Sequence, residues 1–202
     1  LHTRGGEARK AFVVPLSASL VDKVQEGVYL LSVQWNLRFS KAYALKGSAK
    51  EQLLQEKREE QDYQVLDELP FYFNGAGYIN KQRTALFLYE EATGKLTRVT
   101  RETFSTGSVH LHPDGKQLLF TGQSYTTKRK HKTGAYVYDL ETGKTRELLK
   151  PRTYDLYDAL WWGEKILLLG TDGKRYGLNE NVQFYTLDPA TGEVALLAPY
   201  ED

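Results

Sequence analysis

The residues of this chain that could do chemistry are its serines, its histidines, a tryptophan pair and a few glycine-spaced turns. A nucleophilic serine is usually presented on a strand-to-helix elbow that reads Gly-x-Ser-x-Gly. Ser17, Ser19, Ser32, Ser40, Ser48, Ser105, Ser108 and Ser124 all lack glycine on both sides at that spacing. The histidines are His2, His110, His112 and His131. His110 and His112 are two apart in a strand-like stretch, so both should point to one face. Such a pair can ligate zinc, but no third ligand follows at strand or helix spacing. We read them as strand polar positions beside a turn. Trp161-Trp162 could stack a sugar or a base. The internal repeat described below aligns Trp161 with Leu111, which favours core packing. Gly75-x-Gly77 has the first two glycines of a phosphate loop but neither a third nor a following helix, so it reads as a turn between strands. No catalytic, cofactor-binding or metal-binding residue is therefore assigned, and the residues that touch substrate stay unknown.

Composition narrows the classes further. The 202 residues carry 27 basic and 26 acidic side chains, a net charge of +1. That balance gives no general attraction to nucleic acid or to an anionic membrane. Thr126-Thr-Lys-Arg-Lys-His-Lys132 is a local exception, and could be a nucleic-acid patch or a localisation signal. Only Tyr125 lies near it in sequence as a stacking aromatic, so a solvated loop between strands is the expectation. There is no cysteine, which removes disulfides, thiolate nucleophiles and cysteine-ligated metal. No apolar run is long enough to span a bilayer. No signal peptide opens the chain, whose first residue is leucine, and the true N-terminus is expected to lie upstream. A cytoplasmic protein is expected.

What positions these residues is a repeat. Phe87-Leu-Tyr-Glu-Glu-Ala-Thr-Gly94, Tyr136-Val-Tyr-Asp-Leu-Glu-Thr-Gly143 and Tyr185-Thr-Leu-Asp-Pro-Ala-Thr-Gly192 share one pattern. The glycines are 49 residues apart each time, since 143 − 94 = 49 and 192 − 143 = 49. An acid sits four places before each glycine (Glu90, Asp139, Asp188) and threonine immediately before it (Thr93, Thr142, Thr191). Aromatic and β-branched residues enter the turn and a second apolar strand leaves it, as in a β-hairpin. The glycine supplies the positive φ that closes such a turn. A period of about 40–50 residues is that of a propeller blade.

A second element repeats with the first. His112-Pro-Asp-Gly115 is a tight turn leading into the apolar Leu118-Leu-Phe120, and Gly163-Glu-Lys followed by Ile166-Leu-Leu-Leu169 is its later counterpart. Each unit thus holds about four strands. Placing Gly6 on Gly94 also places Gly27 on Gly115 and Leu30-Leu31 on Leu118-Leu119, so an earlier unit precedes an insertion. Ser48 and Glu51 form a capping-box pattern ahead of a run without Gly or Pro through Asp62. Only Leu53 and Leu54 are strongly apolar there, so the helix is expected to be mostly solvated. The expected architecture is all-β: a partial β-propeller of about three to four blades of four-stranded antiparallel sheet, with one helical insertion. Residues 1–202 form part of a single propeller domain, with an incomplete blade over 1–39, the charged helical insertion over 40–66 and further blades over 67–202.

Several segments carry a family resemblance. They are Gly5-Gly-Glu-Ala8 with its apolar continuation, His112-Pro-Asp-Gly-Lys116, Leu69-Pro-Phe-Tyr-Phe-Asn-Gly-Ala-Gly-Tyr78, Arg83 before Leu86-Phe-Leu-Tyr89, and Gly177-Leu-Asn-Glu-Asn181. The chain resembles the N-terminal β-propeller portion of serine peptidases of the prolyl oligopeptidase family, in particular bacterial acylaminoacyl-peptidase-like members. The resemblance implies a propeller that caps a C-terminal α/β-hydrolase domain with a Ser-Asp-His triad, restricts entry and orients peptide. That hydrolase domain is absent from these residues, so no triad residue transfers. Some members bind a substrate amine with paired glutamates. Glu59-Glu60 and Glu90-Glu91 are pairs outside any matching motif, and no role is carried onto them.

Two readings follow. In the first, this is a non-catalytic propeller fragment that gates and orients peptides for a C-terminal hydrolase domain of the same parent chain, itself a serine-type peptidase. Its partners are then that domain and the peptide substrate, without nucleic acid, membrane or cofactor. In the second, it is a stand-alone propeller-like scaffold that binds a protein partner. A sugar-cleaving propeller would need converging carboxylates, which sequence cannot place. Because terminal blades expose faces that a neighbour should cover, the truncated propeller is expected to self-associate.

Overall fold

The computed structural model describes residues 12–40, 42, 44–59, 63 and 65–198. The first sheet contains β1 (Ala18–Gln25), β2 (Val28–Asn36), β5 (Gln82–Glu90) and β6 (Lys95–Arg98). Between β2 and β5 lie the helix α1 (Gly47–Glu59) and a small hairpin of β3 (Tyr72–Phe73) and β4 (Gly77–Tyr78). The second sheet contains β7 (Phe104–Leu111), β8 (Gln117–Ser124), β9 (Gly134–Asp139) and β10 (Lys144–Leu149). The third contains β11 (Asp155–Trp162), β12 (Lys165–Thr171), β13 (Gln183–Leu187) and β14 (Val194–Ala198). Each sheet is an antiparallel meander whose strands pair in chain order. The fold is thus a partial β-propeller of three complete four-stranded blades; among the described residues the sheets do not close into a ring.

One boundary differs from the sequence expectation. The first sheet is not an incomplete blade standing before the insertion. β2 pairs with β5 over nine residues, from Val28↔Glu90 to Asn36↔Gln82. The insertion therefore interrupts one blade between its second and third strands, and residues 82–98 complete what residues 18–36 begin. Sequence offset locates the extra residues but cannot show that the chain returns to the strand it left. The copy placed at Gly6 lies outside the described residues.

The repeated hairpin turn owes its shape to its side chains. Gly94, Gly143 and Gly192 have φ of +67°, +67° and +75°. The amide of each donates to the carbonyl of the acid four residues earlier, at 2.8, 2.9 and 2.8 Å. The acids then work as caps. Asp139 accepts from the Thr142 amide at 2.7 Å and the Thr142 hydroxyl at 2.8 Å. Asp188 accepts from the Ala190 and Thr191 amides at 2.7 and 3.1 Å. These backbone donors hold both carboxyls below the ordinary aspartate range. The acid and threonine of the repeat are turn chemistry.

The core lies between blades. Strand side chains alternate, so one strand can serve two interfaces. On β8, Leu118 and Phe120 pack toward the first blade with Leu30, Leu86, Phe104 and Tyr138. Leu119 faces the other way, into a cluster with Val137, Leu156, Ile166, Leu168, Tyr185 and Leu187 from the second and third blades. A third cluster, with Leu31, Val33, Trp35, Ala85, Phe87 and Tyr89, covers the far side of the first blade and packs against Phe12, Val14 and Leu16. The helix α1 contributes no buried residue.

Candidate functional site

Because each blade is an antiparallel meander, its two ends differ. The tight turns β1–β2, β5–β6, β7–β8, β9–β10, β11–β12 and β13–β14 gather at one end. The longer β2–β5, β8–β9 and β12–β13 connections gather at the other. Neighbouring blades keep this sense: Lys132 Nζ on the β8–β9 connection donates to the Asp172 carbonyl on the β12–β13 connection at 2.7 Å. The connection end is where chain that is not needed for the sheets accumulates, and loops of this kind commonly carry function.

A buried ion pair fixes the insertion there. Arg83 is the second residue of β5 and its side chain is fully buried, as is that of Glu68. Arg83 Nη2 and Nη1 donate to Glu68 Oε1 and Oε2 at 2.5 and 3.1 Å, the paired geometry in which arginine and carboxylate bind best. The guanidinium also donates to the carbonyls of Thr103 (3.1 Å), Gln82 (2.7 Å) and Tyr125 (2.7 Å), and lies 3.6 Å from the centre of the Tyr125 ring. A charge taken out of water needs such compensation. Asn80 and Lys81 tighten the same knot: Asn80 Oδ1 accepts from the Glu68 amide at 3.1 Å, and Lys81 Nζ pairs with Asp67 at 2.9 Å. The Lys81 ammonium holds the Asp67 carboxyl below its ordinary range. The segment from Val65 to Leu69 is thereby tied to the first blade and to the start of the β8–β9 connection.

The insertion then forms one wall of a cleft of about 620 Å³. Leu69, Pro70 and Phe73 line one side, Lys128, Arg129, Lys130 and His131 another, and Asp155 and Tyr157 at the start of β11 a third. The basic connection is ordered by its backbone. The Arg129 amide donates to the Leu69 carbonyl and the Leu69 amide to the Thr127 carbonyl, both at 2.8 Å. The buried Gln123 side chain donates to the Lys130 carbonyl at 2.6 Å and accepts from the Lys130 amide at 3.0 Å. Burial pushes the Asp155 carboxyl up, against the pull of His131, Lys132 and Arg129.

Of the residues singled out from sequence, His131 and the basic run line this cleft, and the others fall elsewhere. His110 Nε2 lies 2.8 Å from Asp158 Oδ1 on β11, and His112 packs edge-on against Trp161 at 4.6 Å between ring centres. Both histidines thus face the third blade and join it to the second. Burial opposes ionisation of Asp158, but hydrogen bonds from His110, Ser108 and the Ala159 amide hold its carboxyl below the ordinary range. No group of three or more His, Cys, Asp or Glu among the described residues is placed to hold a metal ion. Trp161 packs against the core between these blades, whereas Trp162 is half exposed. Asn74 and Gly75 turn the β3–β4 hairpin, with Gly75 at φ +81°. Glu90 serves its hairpin turn, Glu91 accepts from the Tyr29 hydroxyl at 3.1 Å, and Glu59 is exposed at the end of α1, while Glu60 lies outside the described residues. The missed feature is the cleft. Only Tyr125 stands near the basic run in sequence, yet the fold brings Phe73 and Tyr157 to it. The distinctive Pro-Phe-Tyr-Phe segment was the available signal.

Among the described residues, no helix is long and apolar enough to cross a membrane. No family model matches the chain, and no curated protein matches it. Solved structures do. The acylaminoacyl peptidase of Pyrococcus horikoshii is 18% identical over 90% of this chain and 25% of its own, with a TM-score of 0.55. An uncharacterized protein of Listeria monocytogenes, lmo1340, is 14% identical over 96% of this chain and 44% of its own, with a TM-score of 0.50. The β-propeller domain of the Trilobed protease from Pyrococcus furiosus is 16% identical over 91% of this chain and 43% of its own, with a TM-score of 0.45. This chain spans a quarter of the length of that peptidase and less than half of the other two. At these identities the likeness is one of fold.

Proposed function

We propose that this chain is the non-catalytic β-propeller portion of a serine peptidase of the prolyl oligopeptidase family, which gates and orients peptides for a C-terminal α/β-hydrolase domain. The observation that carries the reading is the superposition of 90% of the chain on a quarter of an acylaminoacyl peptidase. The sequence segments around Leu69–Tyr78 and Arg83 support it from a second direction. They build the insertion and the buried pair that anchors it. Chemistry on this reading belongs to the partner domain. The propeller contributes the walls past which a peptide must travel, and a rim held by Arg83 and Glu68 is suited to that because its shape is fixed. A cytoplasmic setting for the parent protein is part of the proposal.

The test uses the parent reading frame. Its sequence after Asp202 should contain Gly-x-Ser-x-Gly, then an Asp and a His, and the parent should cleave short peptides while sparing folded proteins and long chains. A frame that stops after further blades without that motif would favour a scaffold that binds a protein partner.

A further inference from the structure

The cleft beside the insertion has a charge imbalance that the described residues do not answer. Lys128, Arg129 and Lys130 are all exposed, and none has a carboxylate in salt-bridge distance among the described residues. The acid that lines the same cleft, Asp155, is partly buried at the start of β11. In the same cleft, Leu69, Phe73 and Tyr157 are 55, 57 and 57% exposed, which is much apolar surface for one cleft. The loop does not have to be ordered by a ligand, since Leu69 and the buried Gln123 already hold its backbone. Preorganisation of this kind lowers the cost of binding. The cations occupy three successive residues of the lining of one cleft. That spacing suits several carboxylates along a chain better than a single terminal one.

We propose that this cleft takes an acidic, extended peptide segment, whose carboxylate side chains meet Lys128, Arg129 and Lys130 while an apolar side chain between them rests on Phe73 and Tyr157. The inference rests on the peptide-orienting reading and adds a specificity to it: acidic peptides are preferred. Exposed ion pairs are individually weak, so the preference is collective and sensitive to salt.

The experiment measures fluorescence anisotropy of blocked, fluorescein-labelled peptides on the 202-residue chain at low and high salt. The probes are Glu-Glu-Phe-Glu amide, its Gln-Gln-Phe-Gln amide counterpart, the same glutamine peptide with a free C-terminus, and a short oligothymidylate. The acidic amide should bind about tenfold tighter than the glutamine amide at low salt, with the gap closing at high salt. Combining Lys128→Gln, Arg129→Gln and Lys130→Gln should abolish the preference. Lys144→Gln with Lys165→Gln, exposed at the opposite end of the blades, should leave it intact. All five side chains are exposed, and circular dichroism confirms that the variants fold. Equal binding of acidic and glutamine amides overturns the proposal, as does a preference that survives the triple variant. So does tighter binding of the free-carboxylate glutamine peptide, which would mark a terminus site, or of the oligothymidylate, which would mark a nucleic-acid site. If the parent protein has a reactive serine but the acidic preference is missing, this inference fails alone. If the preference is present in a parent without a reactive serine, the peptidase reading fails alone.

Discussion

The outer faces of the first and third blades follow the same alternation and end up in different environments. On the first blade, Leu31, Val33, Ala85 and Phe87 are all but inaccessible, because Phe12, Val14 and Leu16 lie over them. On the third blade, the side chains that point away from the second include Leu160, Trp162 and Phe184, which are 37, 49 and 48% exposed. Nothing in the hairpin repeat distinguishes these faces. A blade buries only what its neighbour covers, so burial here is a property of the stack. The covered face should carry stability, and the bare face should carry association.

The sharpest way to test this contrast is a matched pair of truncations. Phe87→Ala on the covered face should cost about 3–5 kcal/mol in urea denaturation, as a large cavity in a core does. Phe184→Ala on the bare face should cost about 1 kcal/mol or less, because half of that side chain is already in water. Both variants are compared below the concentration at which the chain associates, where equal costs would contradict the contrast.

The next effect separates the insertion from the sheet it interrupts. Arg83→Met leaves Glu68 buried without its partner and should cost about 3 kcal/mol. It should also expose residues 37–66 to limited proteolysis before the blades unfold. A variant that loses stability while the insertion stays resistant would show that the pair holds the sheet and not the insertion.

Smaller again is the link between the second and third blades. Asp158→Asn should destabilise by about 1 kcal/mol at neutral pH. The carboxyl is held below its ordinary value of 3.8, so its contribution is present above that pH and is lost as pH falls through the folded-state value. Denaturation curves of the two proteins should therefore converge in acid. A gap that persists there would assign the effect to packing.

The smallest change in stability should accompany the largest change in assembly. Trp162→Lys with Phe184→Lys should alter folding stability by no more than about 1 kcal/mol, because both side chains are half in water and the lysine stems keep part of their packing. We predict that the unmodified chain self-associates through this face and that the double variant sediments as a monomer. A monomeric unmodified chain in analytical ultracentrifugation would contradict this.

Much of the blade architecture was legible in the sequence because hairpin turns are local. Glycine at 94, 143 and 192, with an acid and a threonine before it, specifies a turn whose hydrogen bonds all fall within a few residues. What stayed hidden is long-range. The pairing of β2 with β5 spans the insertion, and no local pattern announces that Trp35 will face Arg83 in register. The cleft was hidden for the same reason: Phe73 of β3, Arg129 of the β8–β9 connection and Tyr157 of β11 are far apart in sequence, and only the fold brings them together. His110 looked like a strand polar residue, and only the approach of β11 supplies Asp158.

Service to a hydrolase domain is the central proposal for this propeller. The most direct measurement is labelling of the intact parent protein with a fluorophosphonate probe, followed by mapping of the modified peptide. The account predicts a single labelled serine beyond residue 202, within Gly-x-Ser-x-Gly, and no labelling within residues 1–202. A parent that does not react, or that reacts at a serine of the blades themselves, would contradict it.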